Sequence, residues 1–130
     1  MDPKVVLIII NYNGKPHLTQ CLDSIFSQAY ENFEVVLVDN KSTDDSIDFV
    51  KSNYPKVEVF KNKKNLGFGK AINNVLKVKL KDKENKWFGV LNNDIKLDSD
   101  WLKNLINYTQ KTPKAGILSG KILLYYWPKY

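Results

Sequence analysis

Residues 5–10 form an unbroken apolar run, Val-Val-Leu-Ile-Ile-Ile, rich in β-branched side chains and lacking polar alternation. Such a run predicts a strand buried on both faces, as in a parallel sheet covered by helices. Residues 33–38, 57–60 and 87–91 repeat the signal at intervals along the chain. Between these runs the apolar residues fall at helical spacing. The sets are Leu18, Cys21, Leu22, Ile25 and Phe26, then Ile47, Phe49 and Val50, then Ala71, Ile72, Val75 and Leu76. Ser42-Thr43-Asp44-Asp45 and Asp98-Ser99-Asp100 place capping oxygens and negative charge where two helices are expected to start. Strand and helix therefore alternate, which predicts a three-layer α/β/α fold around a mainly parallel, Rossmann-like sheet.

In such sheets ligands gather beyond the carboxyl ends of the strands, near the point where strand order reverses. The segments that follow the four predicted strands are Asn11-Tyr12-Asn13-Gly14, Asp39-Asn40-Lys41-Ser42, residues 61–69, and Asn92-Asn93-Asp94, all polar. Tyr12 offers an aromatic face for a base to stack on, or packs at a strand end. Asp39 can accept from a ring N–H or a ribose hydroxyl, or close a turn with Asn40 and Ser42. Asp94, with Asn92 beside it, makes a half-shell for a hard cation that keeps its waters and shares a diphosphate. Asp98 and Asp100 are expected to cap the next helix. Asn65-Leu66-Gly67-Phe68-Gly69-Lys70 opens a predicted helix, with glycines that permit close backbone approach and a lysine to face an anion.

Composition narrows the class. The chain has 130 residues, of which 43% are hydrophobic and 26% charged. One globular domain over residues 1–130 is expected, with a core large enough to stand without staples. The single Cys21 permits no internal disulfide and sits at an apolar helical position, where a cysteine is read as core. The first apolar run is far short of the ~20 residues of a membrane span and no signal-peptide pattern precedes it, so a cytoplasmic location is expected.

All 20 basic residues are lysine, against 14 acidic ones, for a net charge of +6. Positive potential suits nucleic acid, an anionic membrane face or a phosphorylated small molecule. The lysines are spread along the chain and no arginine supplies a bidentate fork, so nucleic acid is not the expected partner. The dense stretch at residues 77–86 is expected to be a solvated helix end. The lone His17, beside Pro16, has no second ligand at metal spacing and is expected at the surface. Neither Gly-x-Gly-x-x-Gly nor a P-loop occurs, which sets aside the common dinucleotide and nucleoside-triphosphate fingerprints.

Taken in order, Ile8-Ile9-Ile10-Asn11-Tyr12-Asn13-Gly14, Val38-Asp39-Asn40-Lys41-Ser42-Thr43-Asp44, Asn65-Leu66-Gly67-Phe68-Gly69 and Leu91-Asn92-Asn93-Asp94 resemble the motifs of the family 2 glycosyltransferases of the GT-A fold. The resemblance covers nearly the whole chain. It implies that Tyr12 and Asp39 hold the base of a nucleotide-sugar donor, that Gly67 and Lys70 lie near the sugar-phosphate, and that Asp94 ligates Mg²⁺ or Mn²⁺ bridging the diphosphate. A UDP-sugar is the first expectation, with GDP- or dTDP-sugars as alternatives, and the acceptor would be a saccharide or a lipid-linked saccharide, reached at the cytoplasmic face of a membrane.

Two departures accompany the resemblance. Where many members carry Asp-x-Asp this chain has Asn92-Asn93-Asp94, a pattern resembling the rhamnosyl- and galactosyltransferase-like branch. Gly116 to Leu124 resembles the strand that ends the donor half, whereas the family's acceptor half and carboxylate base follow it, and no residue here matches that base. The expectation is therefore a truncated, donor-binding GT-A-like part of an inverting transferase with no general base assigned. A noncatalytic GT-A-like nucleotide-binding or interaction module is the alternative. The apolar stretch 117–130 is expected to pair two copies as a homodimer if it does not fold back over its own sheet.

Overall fold

The computed structural model describes residues 2–123. Four parallel strands, β1 (Lys4–Asn11), β2 (Phe33–Asp39), β3 (Glu58–Lys61) and β4 (Asn85–Asn92), form one sheet in the order β3-β2-β1-β4. They alternate with helices α1 (Lys15–Phe26), α2 (Ser46–Asn53), α3 (Phe68–Lys79) and α4 (Trp101–Lys111). This is the α/β/α arrangement that the hydrophobic pattern predicts.

Period-two side chains from the buried strands divide the core in two. Val5, Leu7, Ile9, Val35 and Leu37 face α1, α2 and α4, whose Leu18, Leu22, Val50, Leu102 and Ile106 close that layer. Val6, Ile8, Val36 and Val38 face the other way, against Ala71 and Val75 of α3. Residues 6–9 of β1 are fully buried because β1 is covered on both faces and paired on both edges. Gly89 in β4 answers this crowding, since a Cβ there would stand 2.6 Å from Leu7 Cδ2.

Parallel pairing in register brings the carboxyl ends of the strands to one edge. Asn11 stands opposite Asp39, Ile10 opposite Asn92, and Asp39 opposite Lys61. The order runs from β1 outward through β2 to β3, then returns past β1 to β4, so the reversal lies between β1 and β4. That is where the rule for open α/β sheets puts a ligand.

Some local expectations change. Phe26 is 38% exposed and, instead of entering the core, stacks on Tyr54 at 6.1 Å. Asp100 stands at the N-cap of α4 without a side-chain cap bond; Asp98 makes the turn, its Oδ1 accepting from the Asp100 N–H at 2.9 Å. Asp44 rather than Asp45 caps α2, accepting from the Ser46 N–H at 3.0 Å and also from the Lys15 N–H at the start of α1 at 3.1 Å. The expected strand at 116–124 does not form over its described part, residues 116–123. Gly116 and Gly120 weaken a strand there, and at Gly120 the chain runs against Trp101 of α4, where a Cβ would meet Nε1 at 2.5 Å. Among the described residues, β4 therefore pairs with β1 alone.

The lysine-rich stretch is solvated except at Lys79. At the amino edge of the sheet, Lys79 Nζ pairs with Glu34 at 3.0 Å and with Glu58, while Lys4 Nζ pairs with Glu34 at 3.2 Å and with Asp82 at 3.4 Å. Burial opposes ionisation of Glu34, but the two ammonium groups outweigh it and hold its carboxyl below the usual range. Burial likewise opposes the charge on Lys79, and Glu58 and Glu34 outweigh it, raising that ammonium. A lowered carboxyl stabilises the fold above the unfolded carboxylate range and ceases to do so as pH falls through its folded value. A raised ammonium is lost only as pH rises past the lysine range. The contribution of this cluster should accordingly be flat between about pH 5 and 10 and fall in acid. Lys79→Ala, which leaves Glu34 half-buried with only Lys4, should cost about 1–3 kcal/mol in urea unfolding at neutral pH, with the difference from the parent shrinking as pH drops below 4.

Candidate functional site

At the carboxyl edge the end of β1 is polar yet buried. Asn11 is fully buried, and Asp39 and Asn40 at the end of β2 are nearly so. Buried polar groups must find partners, and these find one another. Asn11 Nδ2 donates to Asp39 Oδ1 at 3.0 Å and lies 3.2 Å from Ser42 Oγ. The Ser42 hydroxyl donates to Asp39 Oδ1 at 2.5 Å, and its backbone N–H donates to Asp39 Oδ2 at 2.9 Å. Asp39 thus closes the turn that follows β2, accepting from a backbone N–H three residues on, with Lys41 in the left-handed region at φ 65°. On the other side, Asn93 Nδ2 donates to Asn11 Oδ1 at 2.8 Å.

These bonds tie the segments after β1, β2 and β4 into one assembly. Asn13, also at positive φ, presents its side-chain oxygen to the Thr43 N–H at 2.7 Å and takes Ser42 Oγ on its own N–H at 2.9 Å. Asn40 reaches the segment after β3: its Nδ2 donates to Gly67 O at 3.3 Å and its Oδ1 accepts from Asn62 Nδ2 at 2.9 Å. Gly67, at φ 73°, turns the chain into α3. That left-handed conformation favours glycine.

The sequence-predicted residues fall around this frame in different ways. Tyr12 is 54% exposed, its ring available at the mouth of the edge. Asp39 is 1% exposed and spends two acceptor contacts on its own turn and a third on Asn11 of β1, so its first role is architectural. Gly67 and Lys70 are exposed at the start of α3, whose first N–H groups have no partner within the helix. Asn92 and Asp94 are exposed on either side of the inward-turned Asn93. Asp94 also lines a cleft of about 700 Å³ that runs along β4 past Val90 and Trp101 to Ile117 and Ile122.

Asn11 and Gly14 hold this frame together although no role attaches to them in the sequence, and Asn40 and Ser42, expected only as turn partners of Asp39, extend it to neighbouring segments. A polar residue ending a fully apolar strand is the signal for Asn11. For Gly14 the reason is steric, since a Cβ would lie 1.9 Å from Asn93 Nδ2 and 2.4 Å from Asn11 Oδ1.

The donor set at β4 suits a hard divalent cation held partly by its ligand. Asp94 supplies an anionic oxygen and Asn92 an amide oxygen on the same exposed turn. Among the described residues no group of three or more His, Cys, Asp or Glu gathers for a closed metal cage. One carboxylate and one amide oxygen could contribute to holding a hard divalent cation that keeps waters and shares substrate phosphates. Cys21 lies beneath this loop, its thiol directed to the Asn92 carbonyl at 3.7 Å. Burial, with the charge of Asp94, pushes its pKa up to about 12, so it is an inert core thiol, as its position predicts. His17 is exposed at the start of α1.

Comparison with known proteins shows the family and the fold. The pattern of the family described as Glycosyl transferase family 2 matches residues 6–123, and the chain belongs to that family. It is 26% identical over 112 residues to an uncharacterized glycosyltransferase of Haemophilus influenzae, covering 84% of this chain and 33% of the relative. To an N-acetylglucosaminyl-diphospho-decaprenol L-rhamnosyltransferase of Mycobacterium tuberculosis it is 27% identical over 130 residues, covering 94% of this chain and 42% of the relative. Among solved structures, S. aureus TarS 1-349 in complex with UDP-GlcNAc superposes with a TM-score of 0.70 at 28% identity, over 83% of this chain and 31% of that one. A mannosyltransferase of Pyrobaculum calidifontis shares the fold, at 24% identity and a TM-score of 0.72. The chain spans about a third of the length of most of these proteins.

Gly14 gives the direct check on this geometry. Gly14→Ala should force Asn93 away from Asn11 and destabilise the fold by about 1–3 kcal/mol in chemical unfolding. Ala substitution at Gly69, where a Cβ meets nothing within 4 Å, should have little effect.

Proposed function

We propose that this member of glycosyl transferase family 2 binds the nucleoside diphosphate of a sugar donor across the carboxyl ends of β1, β2 and β4, with a divalent cation at Asp94, as the donor-binding part of an inverting transferase. The observation that carries the reading is the hydrogen-bonded frame from Asp39 through Asn11 to Asn93. It supports the reading because it gathers the exposed Tyr12, the buried Asp39 and the turn that carries Asp94 at the carboxyl ends of β1, β2 and β4.

In this reading Tyr12 stacks on the base, a contact worth about 1–3 kcal/mol. Asp39 uses its remaining acceptor capacity on a ring N–H or ribose hydroxyl. Gly67 lets the chain approach the sugar-phosphate closely, and Lys70 stands on the first turn of α3, where N–H groups and a positive side chain favour anionic oxygens. Asp94, helped by Asn92, holds Mg²⁺ or Mn²⁺. When bound, the metal supplies charge that stabilises the departing diphosphate. A UDP-sugar is the first choice, supported by the UDP and UDP-GlcNAc complexes of S. aureus TarS. GDP- and dTDP-sugars remain the alternatives to test.

The relatives also support an acceptor. Two are named for transfer to lipid-linked substrates, a decaprenol diphosphate and a dolichyl phosphate. We extend this to a saccharide or lipid-linked acceptor for the whole protein, met at the cytoplasmic face of a membrane. No helix among the described residues is long and apolar enough to cross one. For the homodimer expected through 117–130, Ile117 and Ile122 are 93% and 89% exposed, which supports an apolar contact there. Leu124, Tyr125, Tyr126 and Trp127 lie outside the described residues.

Calorimetry with UDP tests the reading. UDP should bind more tightly with Mn²⁺ or Mg²⁺ than without, and Asp94→Ala should abolish that difference while the melting temperature without ligand stays at the parent value. Tyr12→Ala should weaken UDP about 10- to 100-fold and leave pyrophosphate unaffected. Asp39→Ala is the poorer probe, because it also dismantles the turn. Metal dependence unchanged by Asp94→Ala would refute the cation site.

A further inference from the structure

Asn93, Asn11 and Asp39 form a hydrogen-bonded chain whose direction chemistry fixes. A carboxylate only accepts, so Asn11 can face Asp39 only with its amide nitrogen, and its oxygen is thereby turned towards Asn93. Asn93 must in turn offer its nitrogen. The orientation set at Asp39 is thus transmitted to the residue beside Asp94. Asn11 is fully buried at the end of a strand paired on both edges, so water does not compete for these bonds. The absence of a Cβ at Gly14 leaves the space in which Asn93 reaches Asn11.

We propose that Asn11 and Asn93 are positioning residues that couple the nucleoside side of the site to the cation side. The middle residue of Asn92-Asn93-Asp94 would then anchor the loop while its neighbours face solvent. A nucleoside held at the already bonded Asp39 turn disfavours transient opening of the chain, so that Asn11 keeps Asn93 turned inward and Asn93 keeps Asp94 in place for the cation. Because coupling between sites is reciprocal, the cation strengthens nucleoside diphosphate binding by the same factor. This inference rests on the function proposed above and adds to it the residues that join the two halves of the site.

Asn93→Asp keeps the shape of the side chain, removes the donor and sets a carboxylate oxygen against Asn11 Oδ1. Asn11 cannot turn over to meet it without presenting its own oxygen to Asp39. Asn93→Ala removes the donor without adding charge, and serves if the first variant folds poorly. Mn²⁺ binding is read by electron paramagnetic resonance with and without UDP, and uridine binding without metal by calorimetry. In the parent, UDP should tighten Mn²⁺ binding. In both variants that enhancement should shrink about tenfold, while uridine affinity changes by less than about twofold.

The Asn11 side-chain amide protons, read by NMR without any ligand, should exchange slowly in the parent and fast in the variants. An enhancement that survives in folded variants, amide protons that remain slow, or uridine and Mn²⁺ affinities that fall together would overturn the coupling and leave the proposed function standing. A parent chain that takes up no UDP with Mn²⁺ would overturn both.

Discussion

Asn11 ends the most deeply buried strand of the sheet with an amide that water does not reach, and an unpaired group of that kind costs about 1–3 kcal/mol. Its need for partners organises the carboxyl edge. The nitrogen is met by Asp39 and the oxygen by Asn93, so the segments after β1, β2 and β4 hold fixed relations that their own exposed, irregular backbones would not keep. Asn13, Ser42 and Asn40 extend the same logic outward, each satisfying a neighbouring turn and taking a bond in return. A site for a small anionic ligand requires such preorganisation, because binding then loses less entropy in ordering the loops that make contact.

The two ends of the sheet are held by different physics. At the amino edge, Lys79, Lys4 and their carboxylate partners form a half-exposed ion cluster that joins β1, β2 and β3 to the end of α3. Such pairs stabilise modestly and are screened by salt. The carboxyl edge uses buried, largely uncharged hydrogen bonds, whose strength does not depend on ionic strength in this way. The exposed groups proposed to meet the ligand, Tyr12, Lys70, Asn92 and Asp94, are thereby set on a rigid frame while their own side chains stay free. One layer outward, Asp44 binds the backbone of both Lys15 and Ser46 and so fixes the starts of α1 and α2 against each other.

How much of this could be read from the chain depends on the range of the interaction. The strands were legible because burial on both faces leaves an unbroken β-branched run, and β1 and β2 extend one polar residue past theirs, to Asn11 and Asp39. The first three helices followed from apolar spacing, save at Phe26, where an aromatic partner on α2's C-cap outcompeted the core, and the fourth was marked only by the capping signal at Asp98-Ser99-Asp100. The resemblance of the loop motifs pointed to the family that the match over residues 6–123 shows. Long-range polar pairing was not legible. Nothing local says that Asn93 turns inward while Asn92 and Asp94 do not, that Gly14 is small because Asn93 passes beside it, or that Lys79 alone of its run is tied to two glutamates. The missing strand at 116–123 has the same origin, since resemblance to the family suggested a strand and contact with Trp101 placed the segment along α4.

The central claim is that one preorganised edge receives a nucleoside diphosphate and its cation together. Backbone amide NMR during a UDP titration, first with Mg²⁺ and then with Mn²⁺ as a paramagnetic probe, tests it most directly. The account predicts shifts confined to the segments around Tyr12, Ser42, Gly67 and Asn93, with Mn²⁺ broadening centred on Asp94 and no change around Lys4, Glu34 or Glu58. Shifts centred on the lysines of the amino edge, or Mn²⁺ broadening remote from Asp94, would contradict it.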